Sequence, residues 1–116
     1  MSMNKFLETY DIKDVREYCQ NRCIKIVSEH LNYKKEHLPY FRGNYKGYLY
    51  GIKICNALLK QRIIIKRYQF YNHLKLQQQR ARYNCTIEGG FNRGLTNSFY
   101  DLMNYVSVNY IEKSSI

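Results

Sequence analysis

Apolar side chains recur at steps of three and four residues along most of this chain, and that spacing restricts the fold to packed helices. Side chains at these steps lie on one side of a helix with 3.6 residues per turn. The clearest example predicts a helix over about residues 11–33, with Asp11 and Asp14 near its start, where carboxylates complement the helix dipole. Its apolar side consists of Ile12, Val15, Cys19, Cys23, Ile26, His30 and Tyr33.

The same spacing predicts further helices over about residues 48–62, 63–83 and 98–112. Pro39 and several glycines predict connectors over residues 37–47 and 84–97, with Thr96 or Asn97 as the N-cap of the last helix. The second and third segments are either one long helix or two with a bend near residues 63–65, where the apolar run also fits a short strand. We therefore predict a single all-α domain, a bundle of three to four helices.

Positive charge is concentrated in residues 37–87, which contain ten Lys or Arg and no Asp or Glu. The other 65 residues contain nine basic and nine acidic side chains, so the formal net charge of +10 originates in this one stretch. Repulsion between like charges opposes such crowding, and the pattern therefore indicates a polyanionic partner. The partner that we expect is nucleic acid, DNA or RNA.

The predicted phosphate contacts lie between residues 60 and 82, a segment that would span about 34 Å as one helix. They are Lys60, Arg62, Lys66, Arg67, Lys75, Arg80 and Arg82. Three further cations are predicted at the edges of this surface, namely Arg42, Lys46 and Arg93. Aromatic rings alternate with cations in the first connector, and we expect Tyr45 and Tyr48 to stack on unpaired bases. The alternative interpretation of the same residues is a solvated helix in a basic protein.

Two other patterns have the residue types of ligand sites. Residues 88–94 combine glycines with Arg93 before a helix and could hold an anion, although an ordinary connecting loop is the better interpretation. Cys19 and Cys23 are one helical turn apart, as two metal ligands could be. Three of the four cysteines, however, fall on apolar sides of helices, where cysteine acts as a small hydrophobic residue. We predict neither a metal nor a cofactor.

Catalysis would need an acid or a base, and the three histidines are scattered along the chain. The spacing from Arg67 to His73 resembles the Arg-x4–6-His motif of HEPN-type ribonucleases, which are all-α. Tyr68 stands where that motif usually has a polar residue. The resemblance implies a ribonuclease, and this is our third hypothesis behind a non-catalytic nucleic-acid-binding protein.

The second hypothesis is a protein that docks on another protein. Lys, Asn, Ile and Tyr have AT-rich codons, and their abundance indicates an AT-rich genome such as that of a virus or a phage. Small basic accessory factors of this kind often act as inhibitors or adaptors on a host protein or nucleoprotein complex, including anti-defence inhibitors. Without an apolar span or signal core, we expect a cytoplasmic protein with no membrane partner. A homodimer would double the cationic surface.

Overall fold

The computed structural model describes residues 9–62, 67–83 and 90–114, with side chains described for residues 12–62, 69–82 and 90–106. Four helices account for most of them: α1 (Thr9–Glu29), α2 (Leu38–Lys60), α3 (Arg67–Tyr83) and α4 (Gly90–Ser114). Two 3-10 turns, His30–Asn32 and Lys35–His37, join α1 to α2. The all-α prediction is confirmed.

Two predicted connectors were wrong, because both are largely helical. The helix α2 begins at Leu38 rather than near residue 48, since Pro39 lies in the first turn, where its missing N–H is not needed. The helix α4 begins at Gly90 rather than near residue 98. Thr96 and Asn97 are therefore inside α4 and are not its N-cap.

The second and third predicted segments are two helices. The end of α2 is closed by backbone N–H groups of Gln61 and Arg62, which donate to the carbonyl oxygens of Ala57 and Leu59. Arg62 has φ 56°, a left-handed conformation that a continuous helix does not allow. The apolar run at residues 63–65 and Lys66, the next residue, lie outside the described residues.

The pair α2 and α4 forms the centre of the bundle, with α1 packed on α2 and α3 packed on α4. The residue numbers of α2 and α4 rise together along their contact, so α2 and α4 are parallel. In contrast, α1 runs antiparallel to α2, since Arg16 bonds to Asn56 while the thiol of Cys23 lies near the carbonyl of Tyr45. The helix α3 is antiparallel to both central helices.

Small residues allow the two central helices to approach closely. We call Gly43, Gly47 and Gly51 of α2, together with Gly94 and Ser98 of α4, the glycine seam. A Cβ atom on Gly43 would overlap the carbonyl oxygen of Phe91, and one on Gly47 would overlap the Ser98 side chain. The amide of Asn44 donates to the carbonyl oxygen of Gly94 at 3.1 Å. The glycines therefore create backbone contact inside helices instead of breaking them.

The core is formed by the apolar sides that the sequence predicts. Its buried members come from all four helices and include Ile12, Val15, Cys19, Cys23, Tyr48, Cys55, Phe70, Leu74, Phe99, Leu102, Met103 and Val106. His30 does not continue the core side of α1, because that helix ends at Glu29 and leaves the imidazole exposed. Among the described residues, no helix combines the length and apolar character needed to cross a bilayer.

Candidate nucleic-acid interface

Four exposed cations follow one side of α2: Arg42, Lys46, Lys53 and Lys60. Their steps of four, seven and seven residues keep them on the same side of the helix, and we call them the α2 stripe. The stripe spans about 27 Å, at a rise of about 1.5 Å per residue. The stripe is exposed to solvent beside the glycine side of α2, and the ammonium of Lys46 lies 6.0 Å from the centre of the Phe91 ring on α4. Neither α2 nor α3 contains an Asp or a Glu.

The cations of α3 are divided between two sides of that helix. His73 lies against α2, where its Nε2 is 3.3 Å from the Tyr50 hydroxyl and the two rings stack. Arg80 is two helical turns further on, so it lies on the same side of α3 as His73. Lys75 and Arg82, also seven residues apart, lie on the α4 side, where Arg82 shares a groove with Arg93.

Of the two alternatives for residues 48–83, one long helix or two, the structure has two, so the cations between residues 60 and 82 do not follow a single helix. The chain turns after Lys60, and α3 runs back along the bundle. Cations that are distant in sequence therefore lie at the same end of the bundle, while cations close in sequence lie at different ends. Lys60 and Arg62 lie at the end of the bundle where α3 begins. Arg42 and Lys46 lie at the other end with Arg80, Arg82 and Arg93. Arg67 begins α3, but its side chain is outside the described part of the chain.

Tyr48 is not available for stacking on a base, so that prediction was wrong. Its side chain is only 3% exposed, and its hydroxyl donates to Asp101 at 2.6 Å. Burial and the neighbouring carboxylate raise the pKa of Tyr48 above its ordinary value. Tyr45 is half-buried against the core, with part of its ring still at the surface.

Asp101 connects three helices through a polar network that sequence analysis missed. Its Oδ2 accepts hydrogen bonds from the hydroxyls of Tyr48 and Tyr18, the latter at 2.7 Å, and lies 3.4 Å from Nε of Arg22. The guanidinium of Arg22 lies over both phenol rings. Burial, with help from Asp101, raises the pKa of Tyr18 to about 12. Within the described residues, Arg22–Asp101 is the only ion pair.

A groove beside this network has a mixed character that does not favour phosphate. It has a volume of about 330 Å³ and lies between α1, α4 and the start of α2. Arg22 and Lys25 line it, but so do the carboxylates of Glu29 and Asp101. Opposite charges at such short range cancel the field that would attract a polyanion.

The three cysteines that the structure describes, Cys19, Cys23 and Cys55, belong to the core. Burial raises the pKa of Cys55 to about 12 and also raises the pKa values of Cys19 and Cys23, so these thiols remain protonated at neutral pH. No group of three His, Cys, Asp or Glu side chains comes together for a metal ion among the residues with described side chains.

Comparison of the chain with protein-family models, with curated proteins and with solved structures finds no match.

Lys53 is the stripe residue missing from the predicted contacts. A signal for it existed in the sequence, because it lies seven residues from both Lys46 and Lys60. Asp101 had no such signal. Its partners Tyr18 and Tyr48 are 83 and 53 residues away along the chain, and only the packed bundle brings them together.

Proposed function

We propose that this protein binds nucleic acid without catalysing a reaction, and that the α2 stripe with Arg80 contacts the phosphates. One observation carries the proposal: four exposed cations share one side of a helix that contains no carboxylate. Their span of about 27 Å approaches the ~34 Å of one turn of duplex. Lysine and arginine side chains at such intervals neutralise successive phosphates and release their counterions.

The helix α1 supports this choice of surface by contrast. It mixes signs, with Lys13 and Lys25 near Asp14, Glu17 and Glu29. Mixed charges are typical of a solvated surface and give no net attraction for a polyanion. The polyanion-binding interpretation therefore does not extend to α1.

A charge-reversal pair tests the proposal. The variant Arg42→Glu/Lys46→Glu/Lys53→Glu changes the net charge by −6 on the α2 stripe. The matched control, Lys13→Glu/Lys34→Glu/Lys35→Glu, changes it by the same amount at exposed positions outside α2. Binding to labelled single-stranded and duplex DNA and RNA is measured as a function of salt, with circular dichroism to verify the helical content.

The parent is expected to show a log–log salt slope of about −4.5 on duplex, the value for five phosphate contacts. The stripe variant should lose binding at every salt concentration, whereas the control should remain within about tenfold of the parent. Equal losses in both variants would mean that only net charge matters, and the assignment of the surface would be wrong. No binding by the parent at low salt would reject the function.

A second candidate is docking on a protein partner, and an exposed apolar surface on α1 favours it. Ile24 and Val27 are 65% and 53% exposed, and Leu31, just beyond the helix, is 86% exposed. Steps of three and four residues place them on one side, where contiguous apolar surface is typical of protein interfaces. Capture of one defined host protein should then be lost in Ile24→Glu/Val27→Glu and retained in the stripe variant.

A further inference from the structure

A second cationic site lies on the α4 side of the bundle, in a groove between the last turns of α3 and the first turns of α4. Its volume is about 400 Å³, within the range of about 300–1,000 Å³ common for small-molecule sites. Six side chains line it: Gln78, Arg82, Arg93, Thr96, Asn97 and Tyr100. The antiparallel packing of α3 on α4 brings together two arginines that are eleven residues apart in sequence.

The lining suits an anion. None of these six described residues is acidic, and each carries a group able to donate a hydrogen bond. Two donors are already used, because Thr96 bonds to the carbonyl of Asn92 at 2.7 Å and the Asn97 amide to the Tyr40 hydroxyl at 2.8 Å. The guanidiniums of Arg82 and Arg93 are in no ion pair among the described residues.

The described carboxylate beside this groove does not neutralise the pair. Asp101 follows Tyr100 directly, but it lies toward α1 and is already bonded to Arg22 and to two tyrosine hydroxyls. Among the residues with described side chains, no carboxylate lines the groove, so the positive potential of the two arginines is available to a ligand. Guanidinium groups bind phosphate oxygens in pairs, and two of them on different helices fix such an anion from two directions.

An aromatic surface lies beside the arginines. The side chain of Tyr100 is 56% exposed and borders the same groove. A flat ring next to a phosphate site is the arrangement that holds a nucleobase by stacking while its phosphate is bound.

We propose that Arg82 and Arg93 bind the phosphate of a nucleoside 5′-monophosphate whose base stacks on Tyr100. The phosphate belongs either to a free mononucleotide or to the 5′ end of a strand. The ammonium of Lys46 lies 6.0 Å from the centre of the Phe91 ring on α4, but neither residue lines this groove, so the site stands independently of the proposed function. A strand bound along α2 and a mononucleotide bound between α3 and α4 would occupy different sides of the bundle.

Calorimetric titration of the full chain tests the site, with AMP, inorganic phosphate and adenosine as three separate ligands. AMP should bind more tightly than phosphate, and adenosine should not bind measurably. Arg82→Gln and Arg93→Gln should each weaken AMP by about tenfold or more, as expected for a lost charged hydrogen bond. Arg16→Gln is the matched control, an arginine of α1 that does not line the groove, and should stay within about twofold.

The stacking contact has its own variant. Tyr100→Leu should remove the advantage of AMP over inorganic phosphate and leave phosphate affinity unchanged. A 5′-phosphorylated oligonucleotide that binds more tightly than both AMP and its 5′-hydroxyl counterpart would identify a strand end as the source. Equal affinity for AMP and for the phosphorylated strand would identify the mononucleotide.

Three results would overturn the site: no AMP binding, binding of adenosine as tight as that of AMP, or an Arg16→Gln effect equal to that of Arg82→Gln. The charge-reversed α2 stripe variant separates the two proposals, since it should lose nucleic-acid binding along α2 and still bind AMP. Circular dichroism of each variant verifies that the helices persist.

Discussion

The two sides of α2 differ in the size and charge of the side chains that they accommodate. Toward its helix neighbours, Gly43 meets the backbone of Phe91, Gly47 the side chain of Ser98, and Gly51 the thiol of Cys19, and none has room for a side chain. Toward solvent, the α2 stripe carries long, exposed, charged side chains. Both sides use steps of four or seven residues, yet the first should determine stability and the second binding. One helix thus keeps its structural and its proposed functional residues on separate surfaces.

The largest expected effect is on the glycine seam. In Gly94→Ala the new Cβ would overlap the carbonyl oxygen of Tyr40 and lie 2.7 Å from the backbone N of Asn44. Backbone atoms cannot rotate away, so we expect a loss of about 3 kcal/mol in the free energy of unfolding, measured by urea denaturation.

Gly90→Ala is the matched control, one turn earlier in α4. The nearest atom to its Cβ would be the backbone N of Tyr40 at 3.4 Å, an ordinary contact. Its stability should equal or exceed that of the parent by up to about 1 kcal/mol, because alanine favours the helix. Similar losses at both glycines would show that helix conformation rather than close approach explains the seam.

The helices were predictable from the sequence wherever large apolar side chains recur at helical spacing. The apolar sides of α1, α3 and α4 were found because Val15, Leu74 and Leu102 repeat with their neighbours at helical steps. The starts of α2 and α4 were missed because glycine and proline are unfavourable in isolated helices, and tertiary contact outweighs that preference here. The glycines of α2 recur at every fourth residue, which is the same helical spacing as that of the apolar residues.

The candidate surfaces were predictable only in part. Net charge drew attention to residues 37–87, but the grouping of cations depends on how α3 packs antiparallel on α4, and local sequence does not encode that packing. Arg82 and Arg93 line one groove for this reason. Tyr48 was misassigned because a tyrosine in a core position and one at a binding surface have the same local sequence pattern.

The next largest effect concerns Asp101 of α4, whose hydrogen bonds join α4 to α1 and α2. Asp101→Ala should lower the free energy of unfolding by about 2 kcal/mol, because it leaves Arg22 and two tyrosine hydroxyls without their acceptor. Urea denaturation checks this, with exposed Glu17→Ala as the control expected to change stability by less than ~0.5 kcal/mol. If Asp101→Ala lowered the free energy of unfolding no more than the control does, the network would not stabilise the fold.

Alkaline pH should lower the stability of the fold. Tyr18 has a pKa of about 12 in the fold against 10.0 ordinarily, and Cys55 about 12 against 9.0. The folded state therefore keeps protons that the unfolded state loses, so stability is complete below pH 9 and falls as pH rises toward 12. We expect Tm to drop by roughly 10–20 °C over this window in thermal unfolding. Tyr18→Phe should flatten the drop, and an unchanged slope in that variant would contradict the assignment to Tyr18.

The smallest expected effect on stability is in the α2 stripe. Lys53→Gln should change the free energy of unfolding by less than ~0.5 kcal/mol, because the side chain is exposed. Its binding to duplex should weaken about threefold, with a salt slope smaller in magnitude by about 0.9. Lys13→Gln on α1 is the control and should leave that slope unchanged. If Lys53→Gln destabilised the protein as much as Gly94→Ala, the two sides of α2 would not be separate in function.

The glycine seam also affects the order in which the chain acquires structure. Three glycines in the first part of α2 each disfavour the helix by about 1 kcal/mol relative to alanine, so that part has little tendency to be helical alone. It gains its helical form when α4 covers it, and the two are separated in sequence by the whole of α3. Ordering of α2 and long-range closure of the chain therefore become one cooperative folding event, in which the later helix organises the earlier one.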